Sequence, residues 1–220
     1  MGGGHGSVHA MNGTPSSLAD RPEEWPVVSS RDLHRDDWVV ALRSDLVRRP
    51  GHPDEEPFPR LVLEHPGAVI VLAVDADERV FCLSQYRHPA RRRFIEIPAG
   101  LCDAPGEDPL EVARRELREE AQLEAGDWTR LASTYSSPGI SNELMHIYLA
   151  RDLREVSRGD FALAHEEADM TTFWAPFDDL LAAVLDERVT DGPLVIAVLV
   201  ANARGLAGRA GSAAAGGPVT

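Results

Sequence analysis

The sequence contains no lysine, and all 22 of its basic residues are arginine. Arginine can bind a phosphate through two parallel hydrogen bonds, but the codon usage of a GC-rich genome explains this bias more simply than phosphate recognition by every arginine. Acidic residues number 36, so the chain carries a net charge of -14 that repels the phosphate backbone of nucleic acids over most of the surface. We therefore expect no nucleic-acid partner.

Cysteine and long apolar runs are also scarce. Only Cys82 and Cys102 occur, and the stretch from Met1 to Asp20 lacks the apolar core of a signal peptide, so we expect a reduced, cytoplasmic location. The longest apolar run, from Pro193 to Ala201, has about half the length that a membrane span requires. We expect that run to form a buried helix, and we expect no membrane association.

The length of 220 residues and the hydrophobic fraction of 43% are typical of one globular domain with an elaboration. Both ends are rich in Gly, Ala, Ser and Pro, and we expect residues 1–22 and 206–220 to be disordered tails. Short apolar groups separated by a turn-rich segment indicate a few antiparallel strands within residues 23–63. Residues 64–205 then form the main domain.

Apolar runs bounded by turns alternate with helical patterns along the main domain, which indicates an α/β fold. Four runs are predicted as strands of a mixed sheet: Gly67 to Val74, Arg79 to Tyr86, Trp128 to Tyr135 and Leu144 to Ala150. Three segments are predicted as helices: Pro109 to Leu123, Phe177 to Leu185 and Pro193 to Arg204.

The first of these helices carries several independent start signals. Asp108 suits the N-cap, Pro109 suits the first helical position, and Glu111 can close a capping box by accepting a hydrogen bond from the cap amide. An apolar stripe recurs at intervals of three and four residues, at Leu110, Ala113, Leu117 and Ala121. This stripe identifies the buried face of the helix.

Three carboxylates lie beside that stripe. At about 100° per residue, Glu116 and Glu120 fall on the flank of the stripe, and Glu119 lies close by. Like charges one turn apart destabilise a helix, and more so where water is excluded. A hard divalent cation would reverse this cost, because Mg²⁺ binds oxygen ligands. The alternative is a solvated acidic face paired with the arginines of the same helix, which are Arg114, Arg115 and Arg118.

The segment from Gly100 to Leu123 resembles the signature box of the Nudix hydrolases, in which a glycine and a spaced glutamate precede an Arg-Glu-apolar-any-Glu-Glu motif. Here these are Gly100, Glu107 and the run from Arg115 to Glu120. The gap from Gly100 to Glu107 is one residue longer than the commonest form, and Gln122 stands where the family usually has glycine. The resemblance implies an α/β/α sandwich with a mixed sheet, preceded here by the small antiparallel extension.

The same resemblance implies a divalent metal cofactor, Mg²⁺ with Mn²⁺ as the alternative. The metal ligands that it implies are Glu116, Glu119, Glu120 and the Ala99 carbonyl oxygen, with Glu167 as a further ligand. Arg115 would hold the carboxylates in place for catalysis, where Glu119 also takes part, and Glu107 would brace the loop against the helix. For Arg115 and Glu107 the alternative is a surface ion pair worth about 0 to 1 kcal/mol.

Three segments outside the box resemble the ADP-ribose pyrophosphatase branch of the family: Gln85 to Gly100, Ser136 to Glu143, and His165 to Met170. The substrate-binding residues implied by this branch are Arg87, Glu96, Gly139 and Glu143, together with Arg60, which would reach the adenine pocket of a partner subunit. In the third segment Glu167, or else Glu166, would take the proton of the attacking water. The alternative for both glutamates is an ordinary polar loop.

The activity that the resemblance implies is the Mg²⁺-dependent hydrolysis of ADP-ribose, a small nucleoside diphosphate compound, to AMP and ribose 5-phosphate. The N-terminal strands resemble the extension through which this branch dimerises, so we expect a homodimer. Three other classes of substrate stay open: other nucleoside diphosphate sugars, flavin or nicotinamide dinucleotides, and oxidised nucleoside triphosphates. A non-catalytic ligand sensor built on the same fold is a further alternative.

Overall fold

The computed structural model describes residues 18–157 and 169–208, which form ten strands and three helices. The first seven strands are β1 (Val27–His34), β2 (Ala41–Val47), β3 (Phe58–Glu64), β4 (Ala68–Ala73), β5 (Arg79–Arg87), β6 (Arg92–Glu96) and β7 (Ala99–Leu101). They are followed by α1 (Pro109–Ala121), β8 (Leu123–Tyr135), β9 (Leu144–Glu155), β10 (Thr171–Pro176), α2 (Phe177–Leu185) and α3 (Gly192–Ala203).

The N-terminal strands form a separate antiparallel sheet in the order β1-β2-β3, as the sequence predicts. All eight residues of β1 are exposed, which is unusual for a strand with apolar side chains. Large apolar residues of this region also remain exposed, among them Trp25, Val27, Val28, Leu33 and Leu61. The sheet joins the main domain at Leu63, whose amide donates a 2.7 Å hydrogen bond to the Ile140 carbonyl.

The main domain is built around a mixed sheet in the order β7-β4-β9-β8, in which only β4 and β9 are parallel. Every residue of β4 is buried, because helices cover both faces of this strand and such a strand has no polar face. Ile70 and Leu72 pack with α2 and α3. Val69 and Val71 pack with α1 on the other face. The three layers confirm the predicted α/β/α sandwich.

A third sheet, in the order β10-β5-β6, is antiparallel. This differs from the sequence prediction, which placed residues 79–86 in the mixed sheet. A tight turn connects β4 to β5, where the Asp75 amide donates to the Arg79 carbonyl. Beyond that turn, the backbone groups of β5 pair with β6 and β10. The strands β6, β7 and β10 are absent from the sequence prediction.

Helix α1 begins as predicted, with the Asp108 carboxylate accepting a 2.9 Å hydrogen bond from the Leu110 amide. The predicted capping box is wrong, because the Glu111 carboxylate instead accepts a hydrogen bond from Arg114 one turn later. The helix also ends two residues earlier than predicted, at Ala121. Gln122 adopts the left-handed conformation with φ of 55° and ends the helix, which is the usual role of a glycine at that position.

Residues 206–208, which belong to the predicted C-terminal tail, contact the main domain. The Leu206 carbonyl accepts a 2.7 Å hydrogen bond from the Arg151 guanidinium, and the Gly208 amide donates to the Glu78 carboxylate. Arg151 and Glu78 also bind each other through two hydrogen bonds. Within residues 18–157 and 169–208, no helix is both long and apolar enough to cross a membrane.

Candidate active site

Two glutamates of α1 are buried against the strand β7. Only 9% of Glu116 and 7% of Glu120 is exposed to solvent. The Glu120 carboxylate accepts a 3.0 Å hydrogen bond from the Ala99 amide. The Glu116 carboxyl group lies directly over Gly100, where the carbon of any added side chain would be 2.0 Å from Glu116 Cδ. Gly100 is therefore required for this close approach between strand and helix.

Arg115 connects the carboxylates around it. Its Nη1 atom donates a 2.8 Å hydrogen bond to Glu116 Oε1 and lies 3.6 Å from Glu119 Oε2. Its Nη2 atom lies 3.7 Å from Glu107 Oε2, on the loop before the helix. One positive charge among three negative charges reduces their mutual repulsion. These contacts place Arg115 between two carboxylates of α1 and the Glu107 carboxylate.

The chemistry of these side chains fits a hard divalent metal. The groups that face the cleft from α1 offer carboxylate oxygens, which Mg²⁺ and Mn²⁺ prefer. In the described part of the chain, no group of three or more His, Cys, Asp or Glu side chains is arranged so that it could hold a metal ion by itself. Mg²⁺ seldom depends on such a group, and is usually bound by one or two carboxylates together with water and substrate phosphates. Glu116 and Glu120 match that mode of binding.

A second charged pair links the antiparallel strands β5 and β6. Arg87 Nε donates a 2.9 Å hydrogen bond to Glu96 Oε1, and Arg87 Nη2 donates a 2.6 Å hydrogen bond to Glu96 Oε2. Glu96 is buried whereas Arg87 is half-exposed. These hydrogen bonds raise the pKa of the Arg87 guanidinium above its usual value. Arg87 is therefore a fixed positive charge with its planar group held in one orientation.

The two charged groups face one cleft with a volume of about 1120 Å³. Eight of the site residues predicted from the sequence line it: Arg87, Glu96, Ala99, Arg115, Glu116, Glu119, Glu120 and Glu143. Such a cleft is large enough for a dinucleotide-sized ligand. The fold thus brings together residues from β5, β6, β7, α1 and the segment before β9.

Two other predicted residues, Arg60 and Gly139, are not among the described residues that line the cleft. Arg60 lies on the N-terminal sheet, where its guanidinium stacks 4.2 Å from the Phe58 ring centroid and donates to the Pro59 carbonyl. Gly139 is exposed in the turn between β8 and β9. Glu166 and Glu167 lie outside the described residues.

Several cleft residues were missed by the sequence prediction, including Trp38, His65, Asp103 and Asp191. Asp191 is the N-cap of α3, and its carboxylate accepts a 2.9 Å hydrogen bond from the Leu194 amide. Burial, aided by the nearby Glu96 charge, raises the pKa of Asp191 to about 6. The sequence Asp191-Gly192-Pro193 is a recognisable helix start, but nothing local indicates that this start faces the cleft.

Known proteins resemble this chain over most of its length. The NUDIX domain family matches residues 64–196. The chain is 41% identical to an ADP-ribose pyrophosphatase of Mycobacterium tuberculosis, over 82% of this chain and 84% of that protein. It is 34% identical to a methanol dehydrogenase activator of Bacillus methanolicus, over 73% of this chain and 83% of that protein. It is also 34% identical to an ADP-ribose pyrophosphatase of Bacillus subtilis, over 66% and 77% respectively.

A solved structure has the same fold. The crystal structure of an ADP compounds hydrolase superposes on 86% of this chain and 100% of its own chain, with a TM-score of 0.66 and 19% identity. At that identity the similarity concerns the fold alone, and it confirms the predicted Nudix-type architecture. Members of this family generally need a divalent metal. From the domain match and the 41% identity, the chain belongs to the Nudix hydrolase family.

Proposed function

We propose that this chain hydrolyses the pyrophosphate bond of ADP-ribose in a Mg²⁺-dependent reaction whose products are AMP and ribose 5-phosphate. The observation that carries the proposal is the cleft, because Glu116 and Glu120 face the same space as the Arg87–Glu96 pair. The identity of 41% to an ADP-ribose pyrophosphatase supports the choice of substrate.

The cleft as it stands is too acidic to attract a diphosphate. When bound, Mg²⁺ would supply positive charge that neutralises the diphosphate. The residues that would hold it are Glu116, Glu119, Glu120 and the Ala99 carbonyl, and Mn²⁺ is the alternative metal. Arg115 keeps these carboxylates together by pairing with two of them.

Arg87 and Glu96 position the substrate beside these carboxylates. The exposed part of the Arg87 guanidinium can donate to a phosphate or ribose oxygen, while Glu96 fixes its direction and can accept from a ribose hydroxyl. In the reaction a water oxygen forms a new bond to phosphorus and the bridging P–O bond breaks. The proton of the water passes to Glu167, or else to Glu166, and the leaving phosphate takes the electron pair.

The N-terminal sheet, residues 23–63, is proposed as the dimerisation unit that precedes the catalytic domain of residues 64–205. Its exposed apolar side chains, including Val27, Val28 and Leu33, would be covered by a second copy of the chain, since burial of such surface drives association. In that homodimer Arg60 would reach the partner's cleft, and Gly139 would shape the substrate-binding loop. We place the enzyme in the cytoplasm, with a small molecule as its partner rather than nucleic acid or membrane.

A small substrate panel tests this function. The purified chain is incubated with Mg²⁺ and ADP-ribose, ADP-glucose, GDP-mannose or an oxidised nucleoside triphosphate, and kcat/KM is measured for each. We expect ADP-ribose to have the highest kcat/KM and AMP and ribose 5-phosphate to form in equal amounts. A higher kcat/KM for another substrate, or the release of any other pair of products from ADP-ribose, would overturn the proposal.

A further inference from the structure

His65 and Glu143 meet at one end of the cleft because of the sheet topology. Strands β4 and β9 are parallel, with Ala68 beside Met145, so the segments that precede them lie at the same end of the two strands. This brings His65 Nε2 to 3.7 Å from Glu143 Oε1. Both residues line the cleft that contains the α1 carboxylates. Only 12% of the His65 side chain is exposed.

The orientation and the tautomer of His65 are fixed by its neighbour Gly67. The Gly67 amide donates a 3.1 Å hydrogen bond to His65 Nδ1, so Nδ1 carries a lone pair and the neutral imidazole carries its proton on Nε2. Gly67 has a φ of +100°, and an added side-chain carbon would lie 3.1 Å from the Leu144 carbonyl oxygen. The turn therefore requires glycine, and the Nε2–H group of His65 points towards Glu143.

Glu143 is fixed from its other side. Ser136 Oγ donates to Glu143 Oε2, and the Glu143 amide donates a 3.1 Å hydrogen bond to Ser141 Oγ. The buried Ser141 hydroxyl in turn donates to the Leu63 carbonyl, two residues before His65. These bonds hold Glu143 and His65 at a set separation, so that Glu143 Oε1 is an acceptor that faces the Nε2–H group of His65.

The separation of 3.7 Å is too long for a good direct hydrogen bond, which requires about 2.7 to 3.2 Å. A hydroxyl oxygen beside both groups can accept from Nε2–H and donate to Oε1, so it satisfies both polar atoms at once. A phosphate oxygen cannot do so, because it has no proton to donate to the carboxylate. We propose that His65 is a specificity-determining residue that binds, together with Glu143, one sugar hydroxyl of the substrate.

This proposal rests on the proposed function, in that the sugar belongs to a nucleoside diphosphate sugar such as ADP-ribose. Its consequence is selectivity against substrates that lack the hydroxyl. A site built for a hydroxyl disfavours the deoxy analogue, because the partly buried donor and acceptor are then left without a partner. His65 should thus contribute to binding and discrimination more than to the chemical step.

Two substitutions of His65 separate binding from folding. In His65→Asn the side-chain oxygen can still accept from the Gly67 amide, but nothing remains at the position of Nε2. In His65→Gln the longer amide can again offer N–H close to that position. The control is His52→Asn, which changes an exposed histidine of the loop between β2 and β3. Melting temperatures of all variants check that the fold is retained.

Titration calorimetry with Mg²⁺ present measures the binding of α,β-methylene ADP-ribose, a non-hydrolysable analogue. The same measurement is made with deoxy analogues, each of which lacks one hydroxyl of either ribose. We expect His65→Asn to raise the Kd about tenfold, His65→Gln to recover part of this loss, and His52→Asn to match the wild type. The wild type should bind the full analogue more tightly than one of the deoxy analogues, and His65→Asn should bind these two equally. The hydroxyl that this deoxy analogue lacks is the one bound by His65.

The proposal is overturned if His65→Asn binds the analogue as tightly as the wild type, if every deoxy preference persists in the variant, or if the wild type does not bind the analogue. Failure of the proposed function has a different signature. In that case ADP-ribose is not hydrolysed, whereas the dependence of binding on His65 and on one hydroxyl remains measurable.

Discussion

Substitution of Gly100 by alanine should lower activity strongly while leaving the fold intact. The added Cβ would lie 2.0 Å from Glu116 Cδ, whereas ordinary contacts begin at 3.4 Å, so the carboxyl group must move by about 1.4 Å. The cost to folding is small, because the obstructing atoms are the end of a flexible side chain. The cost to catalysis is large, since a displacement of about 1 Å in an active site can lower the rate about 100-fold.

The assay is kcat for ADP-ribose at saturating Mg²⁺, together with the melting temperature. The control is Gly192→Ala, because an added side-chain carbon at Gly192 meets no atom within 4 Å. We expect Gly100→Ala to lose about two orders of magnitude in kcat with a melting temperature close to that of the wild type, and Gly192→Ala to change neither. Wild-type turnover in Gly100→Ala would refute the placement of the Glu116 carboxylate in the reaction.

Three further outcomes follow from the site and from α1. Arg87→Ala should raise KM for ADP-ribose about tenfold or more, since a charge-assisted hydrogen bond is lost. An unchanged KM would show that Arg87 does not bind the substrate. The raised pKa of Asp191, about 6 against 3.8, means that ionisation disfavours the folded state. Relative to Asp191→Asn, the wild type should therefore lose up to about 3 kcal/mol of unfolding free energy as pH rises from about 4 to about 6, and parallel pH profiles would contradict this. Gln122→Gly should stabilise the protein by about 1 kcal/mol in denaturant titrations, because glycine adopts the left-handed conformation at less cost, and a lower stability would contradict that.

The sequence was sufficient for features that depend on local spacing. Helix α1 and its buried carboxylates follow from residues three and four positions apart, which share a face whatever the rest of the chain does. The apolar run of β4 likewise indicates burial on both faces. The sequence prediction placed the end of α1 too late. Gln122 ends the helix in a conformation more typical of glycine, and glutamine is not a residue type that indicates a helix end.

Features that depend on distant pairing were missed or left open. Strand β7 has three residues, too few for a pattern, and exists because β4 pairs with it. His65 is 78 residues from Glu143, and they are brought together by the parallel pairing of β4 with β9 and by the hydrogen bonds of Leu63 to Ile140 and Ser141. Asp191 likewise reaches the cleft through the packing of α3 on the sheet. These contacts depend on which distant strands and helices pack together, and the spacing of residues along one sequence does not indicate that.

Metal binding by the α1 carboxylates is the central claim, and Glu120→Gln tests it directly. The new amide oxygen can still accept from the Ala99 amide, so the fold should persist while one negative charge is lost. Glu111→Gln is the matched control on the exposed face of the same helix.

Titration calorimetry with Mg²⁺, in the presence of α,β-methylene ADP-ribose, should show uptake by the wild type and by Glu111→Gln. For Glu120→Gln we expect an affinity for Mg²⁺ that is at least about tenfold weaker. No uptake by the wild type, or equal affinity in Glu120→Gln, would contradict the account.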